Sequence, residues 1–298
     1  MTFTINVPKN FSFWRTVYSH GWCALPPFKV DKENKSLERI FKLASGKHLA
    51  VVIKDGKKEK LDIFSTLKLN GNEKKDLIFQ LKSCLRMQED YSEFYKEARE
   101  HKEYRWIPKI GAGRLLRAPT VFEDVIKMIC TTNCSWALTE IMVSNLCKKL
   151  GFKFQDSCFM FPTPEAIAGV TEKYLRKEIR AGYRAPYILE LSRRIAKGDI
   201  DIDKWRTSSL PTEELFKEVR SVKGIGPYAA GNILKLLGRY DYLAIDSWCR
   251  KKYFEIHRNG KASTDTIIER HYKPFGKWRG LFFWMDVTKD WHDREFPL

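Results

Sequence analysis

Asp246 stands between apolar Ile245 and, one residue on, the Ser247-Trp248 pair. A lone carboxylate in apolar surroundings suits one chemistry above others: it can face positive charge as that charge develops on a substrate, and it can take a proton from water. The same residue can also cap a helix expected over Ser247 to Ile256. Upstream lies Lys223-Gly224-Ile225-Gly226-Pro227. Glycines at 224 and 226 allow positive φ and leave the backbone uncovered. Bare N–H groups beside a helix start form a cradle for a phosphate oxygen, which Lys223 would assist. Such contacts position a nucleic acid without reading its bases. The plainer reading of this turn is a helix-turn-helix corner with packing glycines.

These residues need two helices to hold them. One is expected from Thr212-Glu213-Glu214, with Thr212 as its cap and the two acids complementing the helix dipole. The other carries Tyr228, Ala229, Ala230, Ile233, Leu234 and Leu237 at the spacing of a buried face and closes at Gly238. Further helices are expected from Asn72 to about Met87, from Thr120 (with Glu123 completing a capping box), and over 135–150. Others start at Thr163-Pro164-Glu165 and run over 172–180, 186–197 and 267–284. The first 70 residues read mainly as strand, with Asp55-Gly56 as a hairpin signal between two alternating runs.

The chain has 298 residues, 43% of them hydrophobic, enough for one large or two modest domains with a sizeable core. Its formal charge is +17, which suits an anionic polymer as partner, because Lys and Arg release counterions when they neutralise phosphates. Seven cysteines are scattered through apolar contexts and read as reduced core thiols rather than a disulfide framework. The CxxxC pair Cys130 and Cys134 has no second pair or histidine at metal-ligand spacing, so no metal is expected there. The N-terminus lacks a signal peptide's apolar core and no run approaches a membrane span, so an intracellular protein with no membrane partner is expected.

The stretch from Val219 to Cys249 resembles the helix-hairpin-helix DNA glycosylase superfamily. Three further segments are similar to its 8-oxoguanine and 3-methyladenine glycosylase II branches, in the family's order. They are Gly113-Arg114-Leu115-Leu116-Arg117-Ala118-Pro119, Ile129-Cys130-Thr131-Thr132-Asn133, and Gly182-Tyr183-Arg184-Ala185-Pro186-Tyr187. The resemblance implies an α+β fold: an antiparallel-sheet accessory domain over 1–88 and a two-lobed helical domain with the hairpin over 89–298. It places Asp246 at the catalytic aspartate. Tyr228 falls where lyase relatives carry the lysine that forms a Schiff base, and a phenol cannot form that imine. Tyr228 and Trp248 are expected to line the base pocket or touch the sugar.

Asn133, Tyr183 and Arg184, with Lys223, Gly224 and Gly226, are the expected DNA contacts. Asn133 would fill the hole left by an extruded base and Tyr183 would wedge the kinked duplex. The chain departs from the 8-oxoguanine branch at Leu138 and Trp248, where that branch favours an arginine and a histidine. With no cysteine after Cys249, the iron–sulfur cluster of some relatives is not expected, and a monovalent cation on the hairpin carbonyls is the only cofactor the resemblance allows.

The implied function is a monomeric, monofunctional glycosylase of base excision repair, acting on double-stranded DNA that holds a damaged purine. Alkylated purines are favoured, because they are already cationic, so they leave easily and can stack on aromatic faces; Trp22, Trp136, Trp248, Tyr228, Phe282, Phe283 and Trp284 are the candidates. 8-Oxoguanine, then deaminated or mispaired bases, are alternatives, and a non-catalytic DNA-binding protein on the same scaffold is the alternative of another class.

Overall fold

The computed structural model describes residues 1–57, 59–155 and 158–292, which form two compact units. One holds 1–88 and 114–203; the other holds 89–113 and 204–292. The helical span expected over 89–298 is therefore distributed over both units, and the sheet of 1–88 shares its unit with helices.

In the first unit, strands β1 (Thr2–Asn6), β2 (Lys29–Asp31), β3 (Ser36–Lys42), β4 (His48–Asp55) and β5 (Lys60–Ser65) form an antiparallel sheet in the order β1-β5-β4-β3-β2. The register pairs Phe41 with Leu49, Arg39 with Val51, Leu37 with Ile53, and Ile53 with Ile63. Alternation then puts all of these side chains on one face, where they are buried. Arg39 is thus a charge on the inner face. Its guanidinium grips both oxygens of Glu123 on helix α2 (Val121–Thr131), and Lys127, one turn on, donates to Glu123 from 2.8 Å.

Helix α1 (Gly71–Cys84) starts two residues earlier than expected: Asn70, not Asn72, is the cap, and it forms a reciprocal box with Glu73. At α2 the expected box is half made. Thr120 accepts from the Glu123 N–H, but the Glu123 carboxylate is turned inward to Arg39 and Lys127. Helix α3 (Trp136–Leu150) is capped by Ser135, Thr163 caps Pro164–Ala168, Glu172–Lys177 is a short helix, and α4 spans Ala185–Ala196. A Cβ on Gly21 would meet the Trp136 ring at 2.2 Å, so a larger residue there would force that ring to move.

The second unit begins with Ser92–Glu100 and continues through α5 (Thr212–Arg220), α6 (Pro227–Leu237), α7 (Ser247–Arg258), α8 (Asp265–Tyr272) and α9 (Arg279–Val287). Its core is aromatic: Phe94, Tyr104, Phe275, Phe282 and Tyr272 meet edge-on, tilted or stacked. The single helix expected over 267–284 is two, because Gly276, at φ 49 and ψ −123, breaks the path between α8 and α9. Thr212 is the first helical residue of α5 rather than its cap; Pro211 precedes it and makes no side-chain cap bond. Among the described residues no helix is long and apolar enough to cross a membrane.

Candidate active site

Helices α5 and α6 make the hairpin. Leu215 and Val219 on α5, Val222 and Ile225 in the turn, and Ala229, Ala230, Ile233 and Leu234 on α6 are all buried, so the turn is clamped by its own apolar residues. Only Gly224 takes the left-handed conformation, at φ 88. Gly226 is the extended N-cap of α6, at φ −80, so the expected positive φ there is corrected. A Cβ on Gly226 would meet nothing within 4 Å, which leaves the N-terminus of α6 open to approach. Pro227 follows as the first helical residue and Gly238 closes the helix at φ 93.

The loop after α6 returns across that helix. Gly231 makes this possible: a Cβ there would lie 3.1 Å from the Cβ of Ala244. Two residues beyond Ala244, Asp246 caps α7 and accepts the Cys249 N–H at 2.7 Å. The cap fixes the carboxylate. The Tyr228 hydroxyl faces the same carboxylate; burial first, then the Asp246 charge and a hydrogen bond to it, push its pKa well above 10. It stays a neutral donor. The Cys249 thiol is pushed up to about 12 by burial and by Asp246, so it too stays protonated.

Lys235, two turns along α6 from Tyr228, is 3% exposed. Its ammonium lies 4.7 Å from the centroid of the Trp284 ring, in Coulombic reach of Cys249 and Asp246. Burial outweighs those two attractions and pulls its pKa down to about 8.

Trp248 lies in a cluster of three half-buried tryptophans, with ring centroids 6.4 Å from Trp284 and 5.3 Å from Trp291. Other aromatic candidates lie elsewhere. Trp22, Phe282 and Phe283 are buried, and Trp22 donates to Asp124 at 2.8 Å. Trp136 is exposed, bonded to Glu140.

In the first unit, Asn133 and Tyr183 come together. Asn133 sits at φ 47 between α2 and α3, a conformation asparagine tolerates, and its amide donates to the Tyr183 hydroxyl at 3.3 Å. That hydroxyl donates to the Thr132 carbonyl at 3.2 Å, and the Tyr183 ring is 46% exposed. Arg184, expected beside it at the DNA, is 3% exposed, donates to the Thr132 carbonyl, and lies 4.5 Å from the centroid of the Tyr183 ring, so in this structure it packs against the tyrosine.

One group among the described residues could hold a metal ion: His257, His271 and Asp286, whose ligand atoms lie within 4.8 Å of one another. The Asp286 oxygen already accepts from His257 at 2.7 Å, Tyr104 at 3.2 Å and Tyr272, while His271 meets the Tyr253 hydroxyl at 3.0 Å. The group therefore reads as a hydrogen-bonded clamp tying the far end of α7 to α9. Spacing alone gave no sign of it, since the three residues come from three helices.

A model of the HhH-GPD superfamily base excision DNA repair proteins matches residues 126–278. A "Probable N-glycosylase/DNA lyase" of Methanothermobacter thermautotrophicus is 26% identical over 228 residues, 69% of this chain and 70% of that one. In fold, the chain is similar to the 3-methyladenine DNA-glycosylase of Archaeoglobus fulgidus, with TM-score 0.78, 19% identity, and coverage of 97% and 99%. It is also similar to the Clostridium acetobutylicum 8-oxoguanine glycosylase/lyase, solved with double-stranded DNA holding cytosine opposite 8-oxoguanine. The TM-score there is 0.74, with 21% identity and coverage of 99% of each chain. The matched region takes in the hairpin, the Asp246 turn and the helix it caps, and the chain belongs to the HhH-GPD superfamily of base excision DNA repair proteins, as a DNA glycosylase.

Proposed function

We propose that the protein is a monofunctional glycosylase that extrudes a damaged purine from duplex DNA and hydrolyses its N-glycosidic bond, with Asp246 as the catalytic carboxylate. One observation carries the reading. A carboxylate is fixed by the Cys249 N–H, and the α6 group hydrogen-bonded to it is the Tyr228 phenol. As the bond to the base breaks, the sugar takes on oxocarbenium character, and a preorganised carboxylate stabilises that charge without rearranging. The same carboxylate takes a proton from the attacking water. Tyr228, held protonated, donates to Asp246 and forms no imine, so the product is an intact strand with an abasic site.

The three-tryptophan cluster supports an alkylated purine as the substrate, since a cationic ring gains from an indole face. The N-terminus of α6, with Lys223 and the backbone of Gly224 and Gly226, would take a phosphate. Asn133 and Tyr183 would hold the space the base has left.

The test is base release from duplexes carrying a single alkylated purine, 8-oxoguanine, hypoxanthine or mispaired thymine, with and without later alkali, for wild type and Asp246→Asn. Strand breaks only after alkali, from the alkylated duplex and from wild type alone, are expected. Breaks without alkali would show that an amine does the chemistry. Salt-sensitive binding with no release from any duplex would assign a non-catalytic DNA-binding role.

A further inference from the structure

Resting on the reading of Asp246 as the reacting carboxylate, we propose that Arg279 is a positioning residue of the excision reaction: with Gly280 beside it, it fixes the loop that carries Asp246 by holding the backbone carbonyls of Asp241 and Tyr240. The Cys249 N–H orients the carboxylate against α7. Where that cap stands against α6 is set by the loop between Gly238 and Asp246, which has no helix or strand of its own. Such a segment keeps one position only through what grips it from outside. Here it is gripped from three helices.

The first is α9. The Gly280 N–H, one of the first-turn donors that a helix leaves unpaired, donates to the Tyr240 carbonyl at 2.6 Å. The Nε of Arg279 donates to the next carbonyl, that of Asp241. The approach is so close that a Cβ on Gly280 would fall onto the carbonyl oxygens of Tyr242 and Tyr240, which are backbone and cannot swing aside. The second is α6, where Gly231 admits Ala244. The third is α5, whose Phe216 ring lies flat on Tyr242, with centroids 4.2 Å and planes 8° apart. The Arg279 guanidinium lies 6.0 Å from the centroid of the same Tyr242 ring, so it meets the loop both at a carbonyl and at a ring.

Helices α5 and α6 make the hairpin whose turn would take a phosphate. Holding the loop against them places Asp246 in the same frame as the bound duplex. A hydrogen bond from a guanidinium is about twice as strong as one between neutral groups, and Arg279 is the charged member of this grip. A reacting group displaced by about 1 Å loses about a hundredfold in rate, so a slackened loop shows in the chemical step before it shows in binding.

The test is single-turnover excision on whichever duplex wild type processes, at saturating and at limiting protein, with rates expressed per folded molecule from urea curves. Arg279→Met should be slower at saturation by about a hundredfold, while its affinity for the duplex changes by less than about threefold. Arg279→Lys keeps a donor for the Asp241 carbonyl and should be faster than Arg279→Met. Gly280→Ala, which forces the loop off α9, should be slowed at least as much as Arg279→Met; if it does not fold, the two Arg279 variants decide.

Arg279→Met as fast as wild type per folded molecule overturns the inference and leaves Arg279 a packing residue. So does a loss confined to affinity with a salt slope reduced by about one, which would make Arg279 a phosphate contact. Wild type that releases no base from any duplex, or Asp246→Asn as fast as wild type, would instead remove the reading of Asp246 on which this rests.

Discussion

Among the described residues two lysines are buried, one in each unit, and they are buried to different ends. Lys127 has no exposed surface, and its ammonium is 2.8 Å from Glu123, which Arg39 grips from the other side. Burial works to push the Glu123 carboxyl up, but Arg39 and Lys127 outweigh it and hold it below the ordinary range. The charges there are closed among themselves, and they tie an inner-face strand residue to a helix. Lys235 lies against the Trp284 ring, and the Asp246 carboxylate within its Coulombic reach is half-exposed. The first cluster is buried throughout and serves the fold, whereas Asp246 meets solvent and is open to a substrate. The comparison predicts that damage to the first cluster lowers stability and damage to the second lowers rate.

The largest effect is expected at Asp246. Asparagine keeps the shape and can still accept the Cys249 N–H, so α7 should remain capped, but the charge is gone. We predict that Asp246→Asn lowers single-turnover excision by about a thousandfold or more while affinity for damaged duplex changes by less than about threefold. Rate by quenched-flow and affinity by fluorescence anisotropy check the two halves. A variant of full activity would sink the assignment.

Glu123→Gln is the counterpart in the first unit. It leaves Arg39 and Lys127 buried without their anion, and breaking such a cluster costs about 3–5 kcal/mol. Urea denaturation should show that loss, and the excision rate per folded molecule should be unchanged. A rate that fell with stability would erase the distinction between the two clusters.

What was legible in the chain follows the same division. Glycine and proline punctuation located the hairpin and the Asp246 turn, because those residues act through local backbone geometry. Thr163-Pro164-Glu165 marked its helix for the same reason. Arg39 was not legible, since alternation allows either face and only the partner Glu123, far along the chain, draws a charge inward. The burial of Arg184 was not legible either, since its partner, the Thr132 carbonyl, lies far along the chain. Lys235 did leave a signal. Between Ala229 and Leu237 the helix carries only Asn232 and Lys235 as polar side chains, so a lysine among Ile233, Leu234, Leu236 and Leu237 had little solvent to reach.

Stability against pH sharpens the comparison further. The buried thiols of Cys23, Cys130, Cys147 and Cys249 are pushed up to about 12 by burial. Their folded values exceed their unfolded ones, so the stability they contribute is present below the unfolded value and lost as pH rises through the alkaline range. Lys235 has the opposite sign. Its folded value, about 8, lies below the unfolded one, so its folded form binds fewer protons above pH 8 and the penalty of its burial is relieved as pH rises. We predict that both wild type and Lys235→Met lose stability above about pH 9. The gap between them should move in wild type's favour by about 2 kcal/mol from pH 8 to 10. Guanidinium midpoints at several pH values measure it; a constant gap would mean the amine does not titrate there.

The smallest effect is expected at Tyr183, whose ring is exposed while its hydroxyl is engaged by Thr132 and Asn133. The ring is braced from below by Arg184, which fixes its plane before any DNA arrives. A rigid exposed aromatic ring of this kind gains by inserting at a kinked base step, and stacking of a base on such a ring is worth about 1–3 kcal/mol. Removing it should cost the fold little, because Arg184 retains its bond to the Thr132 carbonyl. We predict that Tyr183→Ala weakens affinity for a damaged duplex by about tenfold, and for the same sequence as a single strand by no more than about twofold. The reason for the difference is that only the duplex must be kinked. Anisotropy titrations of both forms at one salt concentration decide it. Equal losses would make Tyr183 a general stacking surface, and its brace by Arg184 would then serve packing alone.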